Sequence, residues 1–159
     1  MFRCAVLLFA GLAAWLQVLK DPPLPLPAEG AVQFLSPAQV NVPVRRATQV
    51  DLHFRVADGF HINSHEPLEK SLIPARLAVV EVPGLSVSAV DFPPGSAYAL
   101  QVAPREKLSV YTGEFVLHVH LTAQRGEHVL QGGLHYQACD SNSCLPPHTI
   151  PVSVTVVAQ

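Results

Sequence analysis

The chain has 159 residues, a formal net charge of −2, and only 14% charged residues against 49% hydrophobic ones. That length suits one domain. No basic run or aromatic–basic interleaving marks it as a nucleic-acid binder, and its 15 prolines favour many short strands with proline-marked edges.

The N-terminus reads as a leader. Met1-Phe2-Arg3 gives a small positive start, and Ala5 to Leu19 is an apolar run broken only by Gln17. This is the length of a signal-peptide core and short for a membrane span. Residues 1–20 are therefore expected to be a signal peptide. An uncleaved N-terminal anchor is the alternative, because no Ala-x-Ala triplet follows the run. Cys4 precedes the apolar core, which argues against a lipoprotein. Residues 21–30, Asp-Pro-Pro-Leu-Pro-Leu-Pro-Ala-Glu-Gly, form a proline-rich spacer that would hold the domain off a membrane. Export implies a periplasmic or otherwise extracytoplasmic location, where a cysteine pair is normally oxidised.

Residues 31–159 read as one all-β domain. Val32 to Leu35 and Gln39 to Val44 are weak strands. Val50 to Val56 is a strong one, with Val50, Leu52, Phe54 and Val56 facing in. Ala57-Asp58-Gly59 is a turn in which Gly59 is free to take positive φ. Phe60 to His65 is a short extended piece, and Pro67 to Ser71 a loop or a single helical turn. Ala75 to Val82 and Leu85 to Phe92 are strands around Pro83-Gly84. After Pro93-Pro94-Gly95-Ser96 the chain to Glu106 lacks pattern and reads as a long loop, which in a compact domain is often functional. Leu108 to Tyr111, Phe115 to Leu121, Val129 to Cys139 and Ile150 to Val157 complete the strands, and no helical period is convincing. Many short strands at this spacing predict an immunoglobulin-like antiparallel β-sandwich.

The chemistry concentrates in Tyr136-Gln137-Ala138-Cys139-Asp140-Ser141-Asn142-Ser143-Cys144-Leu145-Pro146-Pro147. Strand pattern flanks both sides, and Asp140 to Ser143 is turn chemistry. The cysteines thus sit at the mouth of a hairpin-like loop. A disulfide fits there, since paired strands bring Cα atoms to about 4.5–5.5 Å and a disulfide accepts about 4.4–6.8 Å. As a staple it would contribute roughly 2 kcal/mol, against about 4.7 kcal/mol for a hundred-residue loop. A short-loop pair is better placed for exchange than for stapling.

Thiol–disulfide exchange needs a thiolate, so the neighbours matter. Asp140 would raise a thiol pKa, and His135 or His148 would oppose that if close. Phe60 and His61 either pack near the pair or are an ordinary core Phe and surface His. Tyr136 reads as core, and Pro146-Pro147 as a rigid exit from the loop. Two other readings stand beside exchange. One is a copper- or zinc-binding module using Cys139, Cys144, His135 and His148, or the His118-x-His120 pair, although the spacing matches no common zinc pattern. The other is a non-catalytic interaction domain with a static disulfide.

The sequence resembles the N-terminal periplasmic domain of the DsbD-type thiol:disulfide interchange protein. The matching residues are Asp58-Gly59-Phe60-His61-Ile62-Asn63-Ser64, Leu108-Ser-Val-Tyr111 with Gly113-Glu-Phe115, and Tyr136-Gln137-Ala138-Cys139 to Cys144-Leu145-Pro146-Pro147. The resemblance extends over about Val32 to Val157. The resemblance implies a redox-active pair that relays reducing equivalents to extracytoplasmic clients such as disulfide isomerases and cytochrome c maturation thioredoxins. The source would be a membrane electron-transfer protein or a thioredoxin-like domain, with no cofactor. It further implies that Cys144 makes the intermolecular bond and Cys139 resolves it, and that a cap loop within Asp91 to Lys107 shields the pair. Full-length family members continue into a membrane domain and a thioredoxin-like domain. Here those functions are expected from separate partners.

Overall fold

A computed structural model describes residues 30–100 and 103–159. The expected leader, Cys4 and nearly all of the proline-rich spacer lie outside the described residues. Among the described residues there is no helix, and no segment is a helix long and apolar enough to cross a membrane.

Among the described residues twelve strands form in chain order: β1 (Val32–Phe34), β2 (Gln39–Val42), β3 (Thr48–Val56), β4 (His61–Asn63), β5 (Arg76–Val79), β6 (Leu85–Asp91), β7 (Ser96–Leu100), β8 (Ala103–Tyr111), β9 (Glu114–Ala123), β10 (Gly126–Tyr136), β11 (Ala138–Cys139) and β12 (His148–Ala158). They make three four-stranded sheets, ordered β1-β3-β9-β6, β2-β12-β10-β5 and β11-β4-β8-β7. The first two are the layers of an immunoglobulin-like sandwich. The chain enters in one layer as β1 and crosses to the other as β2, where it runs parallel to β12; every other pairing is antiparallel.

The core follows from strand alternation. Along β3, Val50, Leu52, Phe54 and Val56 are buried while Asp51, His53 and Arg55 are exposed. Along β12, Ile150, Val152, Val154, Val156 and Ala158 are buried. Successive strand side chains point to opposite faces, so one face of each layer packs inward. On the outer face of the first layer His118 pairs with Asp51 and His120 with Asp91, both at 2.8 Å, and Arg55 pairs with Glu114.

The third sheet sits beside this sandwich and carries Cys139 on its edge strand. Aromatic rings join the two. Phe34 lies 5.3 Å from Phe54, Phe54 stacks on Phe115 at 5.2 Å, and Phe115 stacks on Tyr111 of β8 at 4.9 Å. Tyr111 then donates to Pro93 O and accepts from the His65 amide, while Ser64 Oγ meets Ser109 Oγ at 2.8 Å. Gly95 fits only without a side chain, because a Cβ there would lie 2.1 Å from Ser109 Oγ. Gly59 takes φ 81°, as the turn requires.

The patternless segment before Glu106 is not a long loop. It folds into the β7–β8 hairpin, paired from Ser96↔Val110 to Leu100↔Ala103. β8 extends the Leu108–Tyr111 strand backwards, and β7 uses small residues with one aromatic, so hydrogen bonding rather than apolar alternation defines the pair. Two other expectations shift. The strand expected from Val129 to Cys139 starts at Gly126 and divides at Gln137 into β10 and β11, and the one expected from Ala75 shortens to β5. Pro67 to Ser71 forms turns and bends.

The aromatic ladder gives a stability prediction. Phe54→Ala should cost about 3–5 kcal/mol in denaturant unfolding, because Phe54 is 0% exposed. Leu68→Ser, on a residue that is 62% exposed, should stay within about 0.5 kcal/mol of the parent.

Candidate functional site

β10 runs through its layer between β5 and β12, and its eleven-residue ladder with β12 ends at Tyr136↔His148. Beyond Tyr136 the chain changes sheets. Ala138 pairs with Ile62 and Cys139 with His61 at the edge of the third sheet, while Gln137 Nε2 donates to Leu145 O at 3.2 Å.

The loop then closes on itself. The Asp140 amide donates to Ser143 O (2.9 Å), and the Leu145 amide to Ala138 O (2.8 Å). Between these two bonds Cys139 faces Cys144 as an isolated antiparallel bridge. This is the non-hydrogen-bonded type of pair, in which facing residues come closest. The sulfurs are joined, and the Cα atoms lie 3.9 Å apart, closer than the separation expected from the sequence. Burial is unequal: Cys139 is 6% exposed, whereas Cys144 lies open on the surface.

Asp140 organises the turn. Its Oδ1 accepts the Asn142 and Ser143 amides, each at 2.7 Å. These backbone bonds, helped by the Ser143 hydroxyl and the nearby His61, hold its carboxyl below the ordinary carboxylate range. The sequence reading had this charge acting on the sulfur. In the structure it is engaged first by the loop's own amides.

The histidine opposite the pair is His61. It is 2% exposed, its ring lies 4.4 Å from that of Tyr98 on β7, and its Nε2 is buried without a hydrogen-bond partner. Burial pushes its pKa below that of an ordinary imidazole, with Asp140 opposing. It is thus no surface histidine. His135 is placed elsewhere: it sits on β10 opposite Thr149 and Arg76, with Nδ1 3.0 Å from Thr149 Oγ1. Phe60 is a core residue at 6% exposure. Tyr136 is buried and receives the Val32 amide on its hydroxyl, and burial raises its pKa. His148 meets the Tyr136 ring edge-on at 6.0 Å. Pro146, Pro147 and His148 are exposed and, with Tyr136, Ala138 and Leu145, line an apolar depression of about 310 Å³.

Tyr98 has no place in the sequence reading. The only signal for it was a lone aromatic among the small residues Ser96, Ala97 and Ala99. For the metal alternative, among the described residues no group of three or more His, Cys, Asp or Glu side chains is arranged to hold an ion.

The family model described as "Thiol:disulfide interchange protein DsbD, N-terminal" matches residues 31–155. No curated protein sequence matches. Among solved structures similar to this one is the crystal structure of the Neisseria meningitidis DsbD N-terminal domain in the reduced form. It is 17% identical, with a TM-score of 0.44 over 70% of this chain and 80% of that one.

The loop geometry gives a prediction. Asp140→Ala should speed amide exchange at Asn142 and Ser143, whereas Asp140→Asn, which keeps an acceptor oxygen, should largely preserve protection. Because the folded-state pKa is lowered, the carboxylate's contribution is complete above the ordinary Asp value and is lost as pH falls through the lowered one. Acid should therefore loosen the parent loop and leave the Asn variant's loop unchanged, as read by the chemical shifts of these two amides.

Proposed function

The chain belongs to the family of DsbD N-terminal thiol:disulfide interchange domains, and from that premise we propose that it is an extracytoplasmic exchange module. In this reading it relays reducing equivalents from a membrane electron-transfer protein or thioredoxin-like domain to client proteins through Cys139 and Cys144. The observation that carries the proposal is the unequal burial of the two bonded cysteines. Cys144 is open to an incoming thiolate, and Cys139 is held behind it on a strand.

Exchange follows in two halves. A thiolate of the reduced donor attacks Sγ of Cys144, a donor–Cys144 disulfide forms, and Cys139 leaves as thiolate. The donor's second thiol then attacks its own sulfur in that bond and frees Cys144, so the donor is oxidised and the pair reduced by two electrons. In the second half the Cys144 thiolate attacks a client disulfide and expels one client sulfur as thiolate. Cys139 next attacks Cys144, closing the pair and releasing the client's other sulfur. No cofactor enters either half.

The reading assigns residues 31–159 to the exchange domain, residues 21–30 to a spacer, and residues 1–20 to a signal peptide or anchor. Clients would be extracytoplasmic disulfide proteins, including isomerases and thioredoxins of cytochrome c maturation. Shielding of the pair falls to the β7–β8 hairpin, which supplies Tyr98 beside His61. A static staple is the weaker reading, because closing so short a loop contributes only about 2 kcal/mol.

The test is trapping together with a redox titration. Cys139→Ser should accumulate a mixed disulfide through Cys144, and Cys144→Ser should form none. The pair should titrate at a potential above about −300 mV, outside the range of structural disulfides. A lower potential with no trapped partner would sink the proposal.

A further inference from the structure

Resting on the exchange reading above, we propose that His61 is the acid–base partner of Cys139 in the step that resolves the mixed disulfide. Three observations lead there. Cys139 and His61 are direct cross-strand partners, so their side chains share one face with Cβ atoms about 4.5–5.5 Å apart. The imidazole is 2% exposed, and its Nε2 is the one buried side-chain N or O atom among the described residues without a hydrogen-bond partner. Buried polar atoms are nearly always paired, so such an exception calls for a reason. The oxidation state supplies one: a disulfide sulfur carries no proton, and a partner for Nε2 arises at Cys139 only when the pair is reduced.

The surroundings suit the role. The Tyr98 ring at 4.4 Å fixes the imidazole plane. Asp140 is the carboxylate whose charge acts on the ring, and burial outweighs it, which keeps the imidazole neutral and able to accept a proton. Asp58, Gly59, Phe60, Tyr98 and Thr112 line a depression of about 260 Å³ with His61, through which a proton can pass to solvent.

With a client held as a Cys144–S–S–client bond, Cys139 is a thiol, and its burial disfavours the thiolate. Nε2 takes the thiol proton as Cys139 Sγ attacks Cys144 Sγ. The Cys139–Cys144 bond forms, the Cys144–client bond breaks, and the client sulfur leaves with the electron pair as thiolate. The imidazolium then loses its proton to water through the depression. In the reverse direction, Nε2–H stabilises the Cys139 thiolate expelled by a donor.

The test uses the full chain with Cys4→Ser, so that only the pair reports, and an aromatic disulfide whose thiolate product is coloured. Reduced protein should release two equivalents, the first from attack by Cys144 and the second from resolution by Cys139. With His61 as base, the second rate should be nearly flat with pH through neutrality. In His61→Phe it should fall at least about tenfold at pH 7 and rise about tenfold per pH unit, because only free thiolate then attacks. His61→Gln, which can accept a hydrogen bond but not a proton, should show the same slope. A second phase that keeps the parent rate and flat profile in either folded variant overturns the proposal. Should both variants fail to fold, the parent decides: a rate climbing tenfold per pH unit overturns it. If the parent releases no second equivalent, the exchange reading itself has failed, whatever the His61 variants do.

Discussion

The β10–β12 ladder is the constraint on which the site depends. It pairs residues continuously from Gly126↔Ala158 to Tyr136↔His148, and the redox loop is the chain between its two strands at that end. Both ends of the loop are thereby fixed to the most extensively paired hairpin in the described structure. Inside it, the Ala138–Leu145 and Asp140–Ser143 backbone bonds and the Asp140 carboxylate hold the turn. None of these bonds involves sulfur. Opening the disulfide removes a cross-link and leaves the hydrogen bonds that place both cysteines, so the pair can change oxidation state on an unchanged scaffold.

The same chain path accounts for the inequality between the sulfurs. At Gln137 the strand passes from a sandwich layer to the small third sheet, which carries Cys139 against β4. Cys144 follows the turn outward and is succeeded by Leu145-Pro146-Pro147, which cannot continue the ladder because proline lacks the amide proton it needs. One cysteine is exposed and the other buried through the path of the backbone, without any special property of either side chain.

Strands with one buried face were legible in the sequence, because alternation is a local signal. β3, β9 and β12 appear where Val50–Val56, Phe115–Leu121 and Ile150–Val157 placed them, extended by no more than two residues at either end. The cysteine turn was legible for the same reason, since Asp140 to Ser143 encode it locally. The β7–β8 hairpin was not, because Ser96, Ala97 and Ala99 are exposed and only Tyr98 and Leu100 of β7 are partly covered. Nor was the identity of the facing histidine. His135 shares sequence parity with Cys139, but parity holds only within one sheet, and the chain changes sheets between them. His61 faces Cys139 through a register between distant segments, which no local pattern encodes.

The third sheet explains how a sandwich of ordinary design carries a reactive centre at its margin. A redox group inside the main core would be inaccessible to partner proteins, and one on a free loop would lack a defined microenvironment. Here the order β11-β4-β8-β7 places Cys139 at an edge backed by β4, and the Phe54–Phe115–Tyr111 stack couples that sheet to the core. The dominant packing energy stays in the sandwich, where Leu52, Phe54 and Leu117 are fully enclosed. The small sheet contributes position: a buried cysteine, a buried imidazole opposite it, and the Tyr98 ring against that imidazole, on a hairpin strand held mainly by backbone pairing. Its outer strand β7 has no buried residue, and elements with few buried apolar contacts sit at the low end of local stability. Local opening therefore costs least at the outer strand of the small sheet, away from the sandwich layers.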